Sequence, residues 1–89
     1  MKIKEGFILR KVSDAYVVVA TGEAAKVFNG MITLNSSGAF LWEKLASNCD
    51  TKEKLVLALL DEYEVTEEQA SKDVDIFVGK IESAGIFAD

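Results

Sequence analysis

The chain contains no histidine, no proline and a single cysteine, Cys49. Without histidine the commonest general base is missing, and no Ser-His or Cys-His nucleophile pair can form. One cysteine excludes a disulfide within the chain and fits a reducing compartment. The same absences remove a Cys/His zinc site. The glycines are scattered and build neither a phosphate loop nor a dinucleotide fingerprint. No apolar run approaches the roughly 18 residues needed to cross a bilayer. The opening MKIKEGFILRKV lacks a long apolar centre followed by small residues, so a secretory signal is not expected. The expectation is a cytoplasmic protein with no membrane attachment, no metal and no cofactor.

What is present suits one folded domain spanning residues 1–89: the chain has 89 residues, 49% of them hydrophobic. Fifteen acidic residues against ten basic ones leave a net charge of −5, with Lys2, Lys4, Arg10 and Lys11 crowded at the start. Such a chain is repelled by a phosphate backbone at long range. Glu67-Glu68 and the Asp73/Asp75 pair read as solvated charge, because paired carboxylates catalyse where a cleft separates their pKa values. Cys49 lies beside Asp50 and lacks the electropositive setting of a reactive thiol. A binding protein, not an enzyme, is expected.

Periodicity divides the chain into strands followed by helices. FILRKV and AYVVVAT are rich in β-branched and aromatic residues, with Ser13-Asp14 as turn chemistry between them. Gly22 bends the chain, and residues 25–28 are expected to resume an extended path. Asn29-Gly30 is a strong hairpin signal, both residues tolerating positive φ, with MITL as the return strand. After Leu34 the period becomes helical. Asn35, Ser36 and Ser37 can cap, and Gly38, Leu41, Trp42 and Leu45 share a face. A second helix is expected to start at Asp50, with Glu53 reaching back, and to present Leu55, Val56, Leu59, Leu60 and Tyr63. A third starts at Thr66, presents Ala70, Val74, Phe77, Val78 and Ile81, and stops at Gly85, leaving Ile86 and Phe87 as an apolar tail. The predicted architecture is α+β and winged-helix-like: a small N-terminal antiparallel sheet on a three-helix bundle, with helices two and three as a helix-turn-helix.

Two features offer a binding surface. A small sheet must leave an edge of unpaired N–H and C=O groups, which proteins usually blunt with charge or proline. MITL carries neither, as expected of an edge that a partner strand fills. Residues 25–28 and residues 31–34 both remain candidates for that edge. On the third helix, stepping about 100° per residue from Val74 puts Ile76 opposite the core face, among Gln69, Asp73 and Lys80. Phe40 and Leu57 are similar off-face apolar residues. A DNA-reading helix needs basic residues for phosphates and Arg, Asn or Gln for base edges. Residues 67–84 hold five acids, two lysines and no arginine, the wrong sign for nucleic acid.

MITLNSSGAFLWEKL followed by TKEKLVLALLDEYEVTEEQASKDVDIFVGKIESAGIF resembles the PqqD family, named for a protein of pyrroloquinoline quinone biosynthesis. The resemblance is carried by Leu34-Asn35, Gly38, Trp42-Glu43, Leu45, Leu59, Tyr63, Val65, Asp73-Val74, Phe77 and Gly85, in that order and spacing. It implies a recognition element for ribosomally made, modified peptides: a winged-helix-like domain that holds a precursor's leader and presents its core to a modifying enzyme, often a radical SAM protein. It further implies that the leader adds as a strand beside Met31, Ile32, Thr33 and Leu34, facing Asp73, Ile76, Phe77 and Lys80. The precursor peptide and the enzyme would be its partners, and the chain itself a monomer or weak homodimer. The quinone precursor and another peptide product remain alternative cargoes. A winged-helix transcription regulator is the competing reading.

Overall fold

The computed structural model describes residues 1–27, 30–47 and 50–88. Its elements are β1 (Phe7–Val12), β2 (Ala15–Ala20), α1 (Ala24–Val27), β3 (Ile32–Leu34), α2 (Ser36–Ser47), α3 (Lys52–Glu62) and α4 (Glu67–Ser83). The three strands form one antiparallel sheet in the order β1-β2-β3. Ser13 takes φ +57° in the two-residue loop joining β1 to β2, the positive value that a tight hairpin turn demands.

The expected extended path over residues 25–28 is not there: Ala24–Val27 is a single helical turn. Gly22, at φ +57°, turns the chain, and its carbonyl accepts the Ala25 N–H at 3.1 Å. Ala24, Ala25 and Lys26 are good helix formers, and Lys26 pairs with Glu23 one turn back at 3.2 Å. Local propensity therefore wins over strand continuation. The hairpin read at Asn29-Gly30 loses its upstream strand, and Phe28 and Asn29 lie outside the described residues, as does Cys49. Gly6, at φ +95°, permits the close pass of this segment: a Cβ there would sit 2.8 Å from the Ala24 Cβ.

The three longer helices form the expected bundle, with α1 as an addition. Asn35 Oδ1 accepts the Gly38 N–H at 2.8 Å at the start of α2. The cap of α3 is Thr51, not Asp50: Thr51 Oγ1 accepts the Lys54 N–H at 3.2 Å, while the Asp50 carboxylate takes the Lys54 ammonium at 3.0 Å. Thr66 caps α4 as expected, accepting from the Gln69 N–H at 3.1 Å, but the Gln69 side chain turns forward to Asp73. Tyr63, expected in the core, instead ends α3 and stands edge-on to Phe40 with ring centroids 5.4 Å apart.

Alternation along the sheet sends Val18, Ile32 and Leu34 inward, where they meet Leu41, Trp42 and Leu45 of α2, Leu55 and Leu59 of α3, and the whole predicted face of α4. The terminal segments close the bundle. Lys4 N–H donates to the Ile86 carbonyl at 2.8 Å, Ile3 bridges to Phe87, and Ile86 is fully buried. Gly85, at φ +72°, makes the turn that seats it.

Candidate functional site

Among the described residues, strand β3 pairs only with β2, through Tyr16–Leu34, Val17–Thr33 and Val18–Ile32. Its other side faces α4. Lys80 Nζ reaches from α4 and donates to the Thr33 carbonyl at 3.0 Å. That contact marks Thr33 as the outward-facing residue of the strand, because main-chain groups alternate sides along an antiparallel ladder. Its N–H then points outward too, while Ile32 and Leu34 turn theirs toward β2.

Between this edge and α4 runs a groove of about 420 Å³, lined by Thr33, Leu34 and Asn35, by Ser37, Gly38 and Leu41 of α2, by Asp73, Ile76, Phe77 and Lys80 of α4, and by Asp14 and Ala15. Six of the eight residues singled out in the sequence therefore share one groove: Thr33, Leu34, Asp73, Ile76, Phe77 and Lys80. The other two do not. Met31 precedes the strand, and its exposed side chain lines a hollow on the outer sheet face with Arg10, Val12, Ala15, Val17, Val19 and Thr21. Ile32 points into the core.

The groove wall is built by helical spacing. Asp73, Ile76, Phe77 and Lys80 stand at i, i+3, i+4 and i+7, neighbours along one stripe. Ile76 is 59% exposed, although it is a large aliphatic side chain, whereas Phe77 is only 3% exposed and belongs mainly to the core. Asp73 is held by the Gln69 amide at 2.8 Å. Gly38 lets α2 pass close to the strand, since a Cβ there would lie 3.2 Å from both Leu34 Cβ and Asn35 Oδ1. Residue patterns along the sequence missed the α2 contribution and Asp14. The capping Asn35 with a glycine three residues on was the available signal. The other off-face apolar residues lie elsewhere: Leu57 lines a separate hollow between α3 and α4, and Phe40 packs on Tyr63.

Residues 13–86 match the family described as coenzyme PQQ synthesis protein D, PqqD. The chain belongs to the PqqD family. The match takes in β2, β3 and all four helices, leaving β1 outside it. No curated protein matches the chain by sequence. Among solved structures, this PqqD-family chain is similar to TbiB1 in complex with the TbiA(beta) leader peptide, at 21% identity, with 100% of each chain covered and a TM-score of 0.73. It is also similar to lasso peptide synthetase B1 complexed with the leader peptide, at 16% identity, with 96% of this chain and 93% of that one covered and a TM-score of 0.71. At such identities the likeness is one of fold. Among the described residues, no helix is long and apolar enough to cross a membrane.

Proposed function

We propose that this PqqD-family chain is a non-catalytic adaptor, a single domain that holds the leader of a ribosomally made precursor peptide. The leader joins the sheet as a fourth strand along β3, and the rest of the precursor is presented to a modifying enzyme, of the radical SAM or another class, in the cytoplasm. One observation carries this reading: the outward main-chain groups of Thr33 open onto a groove whose far wall offers an exposed isoleucine. Strand addition uses such an edge for affinity and the adjoining groove for choice of sequence. Family membership supports it, as does likeness to two folds solved with leader peptides bound. Thr33 and Leu34 with Asp73, Ile76, Phe77 and Lys80 form the proposed contact set, while Met31 and Ile32, expected there from the sequence, lie outside the groove.

Each main-chain hydrogen bond contributes about 0.5–1.5 kcal/mol net. Ordering a disordered leader costs about 2–5 kcal/mol, so moderate affinity follows. The adaptor then raises the effective concentration of the precursor at its enzyme. A duplex-binding role is not favoured, since α4 carries five acids within residues 67–84 and its Lys80 is engaged with the strand. The test is a titration with the leader segment of a candidate precursor peptide, following amide resonances. Signals of residues 32–34 and of Ile76 should shift together and saturate together. Silence in both regions removes the proposal.

A further inference from the structure

The groove has two chemically different ends. Among the described residues that line it, the charged side chains are Asp14, Asp73 and Lys80. Their order along the groove follows from the fold. The end of α4 is tied to the chain start by the Lys4–Ile86 hydrogen bond, and that segment leads into β1. Phe7 of β1 pairs with Ala20, at the end of the sheet where β3 also begins. Lys80 is level with Thr33. Asp73, two turns earlier on α4, therefore lies toward the opposite end, where Tyr16 pairs with Leu34 and Asp14 sits in the β1–β2 loop. The groove is anionic at the Leu34 end, apolar at Ile76 in the middle, and cationic at the Thr33 end.

We infer that the leader taken by this groove carries a basic residue, an apolar residue and an acidic residue at alternate positions, in that order from its N-terminus. This rests on the strand-addition reading and specifies its ligand. An antiparallel partner of β3 runs in the same direction as α4, with its N-terminal part beside Asp73 and Asp14 and its C-terminal part beside Lys80. Asp73 and Lys80 are separated by roughly 10 Å along the helix axis, at 1.5 Å per residue. Side chains on one face of a strand repeat about every 6.8 Å. Two and four residues thus bracket the separation, and only a four-residue interval leaves a position between the charges for Ile76. Lys80 serves as the specificity residue. When a peptide N–H takes the Thr33 carbonyl, the ammonium turns to the peptide carboxylate.

Three capped synthetic peptides test this on the intact chain: Ser-Lys-Thr-Leu-Thr-Glu-Ser, its charge-exchanged counterpart Ser-Glu-Thr-Leu-Thr-Lys-Ser, and a form with glutamine at both charged positions. Binding is read from amide shifts up to millimolar peptide. The first peptide should bind about threefold to tenfold more tightly than the second, as expected for two exposed ion pairs, with the neutral form between them. The preference should shrink in high salt. The double variant D73K/K80E should reverse the order. Equal affinities, with residues 32–34 shifting, would overturn the charge order and leave strand addition standing. No shift at residues 32–34 with any of the three would count against strand addition itself. Because the comparison of the first two peptides needs only the unmodified chain, it holds even if the double variant does not fold.

Discussion

Lys80 Nζ sits 3.0 Å from the main-chain oxygen of Thr33, so a helix side chain guards the edge of a strand that has no charge of its own. The guard is mobile in principle, a flexible stem with three donors, and one carbonyl is all it covers. An edge closed by a backbone segment would have to unfold before accepting a partner. An edge closed by one ammonium has only to exchange a hydrogen bond. On the strand-addition proposal, the same lysine would keep the free protein from pairing with itself and would yield to a better-fitting strand.

Replacing Lys80 with methionine separates these roles. Little fold stability is at stake, about 0.5–1.5 kcal/mol for one exposed hydrogen bond. The thermal midpoint should move only slightly. Self-association through β3 should increase, seen as a sedimentation coefficient that rises across a concentration series where the unmodified protein stays constant. A variant as monomeric as the parent would show that the lysine guards nothing.

Thr33→Pro removes the outward N–H and leaves the pairing of Ile32 and Leu34 with β2 intact. Proline is tolerated at such positions on edge strands. The variant should fold with an unchanged far-ultraviolet circular dichroism spectrum. It should bind leader peptide about tenfold more weakly, the loss of one main-chain bond together with the steric bar to a neighbour. Unaltered affinity would place the peptide somewhere other than this edge.

The start of α3 gives a prediction in pH. Hydrogen bonding and charge from Lys54 hold the Asp50 carboxyl below its ordinary value of 3.8. Because the folded value is the depressed one, the pair's stabilisation is complete above that ordinary value and is lost as pH falls through the lower folded one. Lys54→Met should return the Asp50 carbon-13 titration toward 3.8 and flatten this part of the acid unfolding curve. A midpoint unchanged by the substitution would assign the depression to something other than Lys54.

How much of this was legible in the sequence depended on whether the signal was local. The faces of α2 and α4 were readable because Leu41, Trp42 and Leu45, and Ala70, Val74, Phe77, Val78 and Ile81, follow one period against one core. Residues 24–27 misled because alanine and lysine favour a helical turn as soon as Gly22 lets the chain curl, and a short stretch carries too few residues for periodicity to decide. Asp50 and Thr51 are both good caps, and the structure distinguishes them by partner: Thr51 Oγ1 accepts the Lys54 N–H, while the Asp50 carboxylate takes the Lys54 ammonium. The groove was half legible. Ile76 announced itself by standing off the apolar stripe, but the Lys80–Thr33 contact spans 47 positions, and nothing in either local sequence encodes it. Met31 and Ile32 drop out of the groove lining for separate reasons: Met31 stands on the outer face of the sheet, and Ile32 is buried in the core.

Ile76 and Phe77 are adjacent on α4 and both line the groove, yet their substitution should have opposite consequences. Phe77 is 3% exposed within the core, so Phe77→Ala should cost about 3–5 kcal/mol of stability, a large part of what a domain of this size possesses. Any loss of binding in that variant would be inseparable from unfolding. Ile76 is 59% exposed, and Ile76→Ala should change stability by no more than about 0.5 kcal/mol. If the leader covers it, truncation removes part of the roughly 1.5–3 kcal/mol that burying such a side chain supplies, a fall in affinity of about fivefold to thirtyfold. Ile76→Asp should abolish binding while the thermal midpoint holds, since it places a second carboxylate one turn from Asp73 in a surface meant for an apolar side chain. Calorimetric titration with leader peptide, alongside thermal unfolding of each variant, distinguishes the cases. Full affinity in Ile76→Ala would mean that α4 does not form the peptide's second wall.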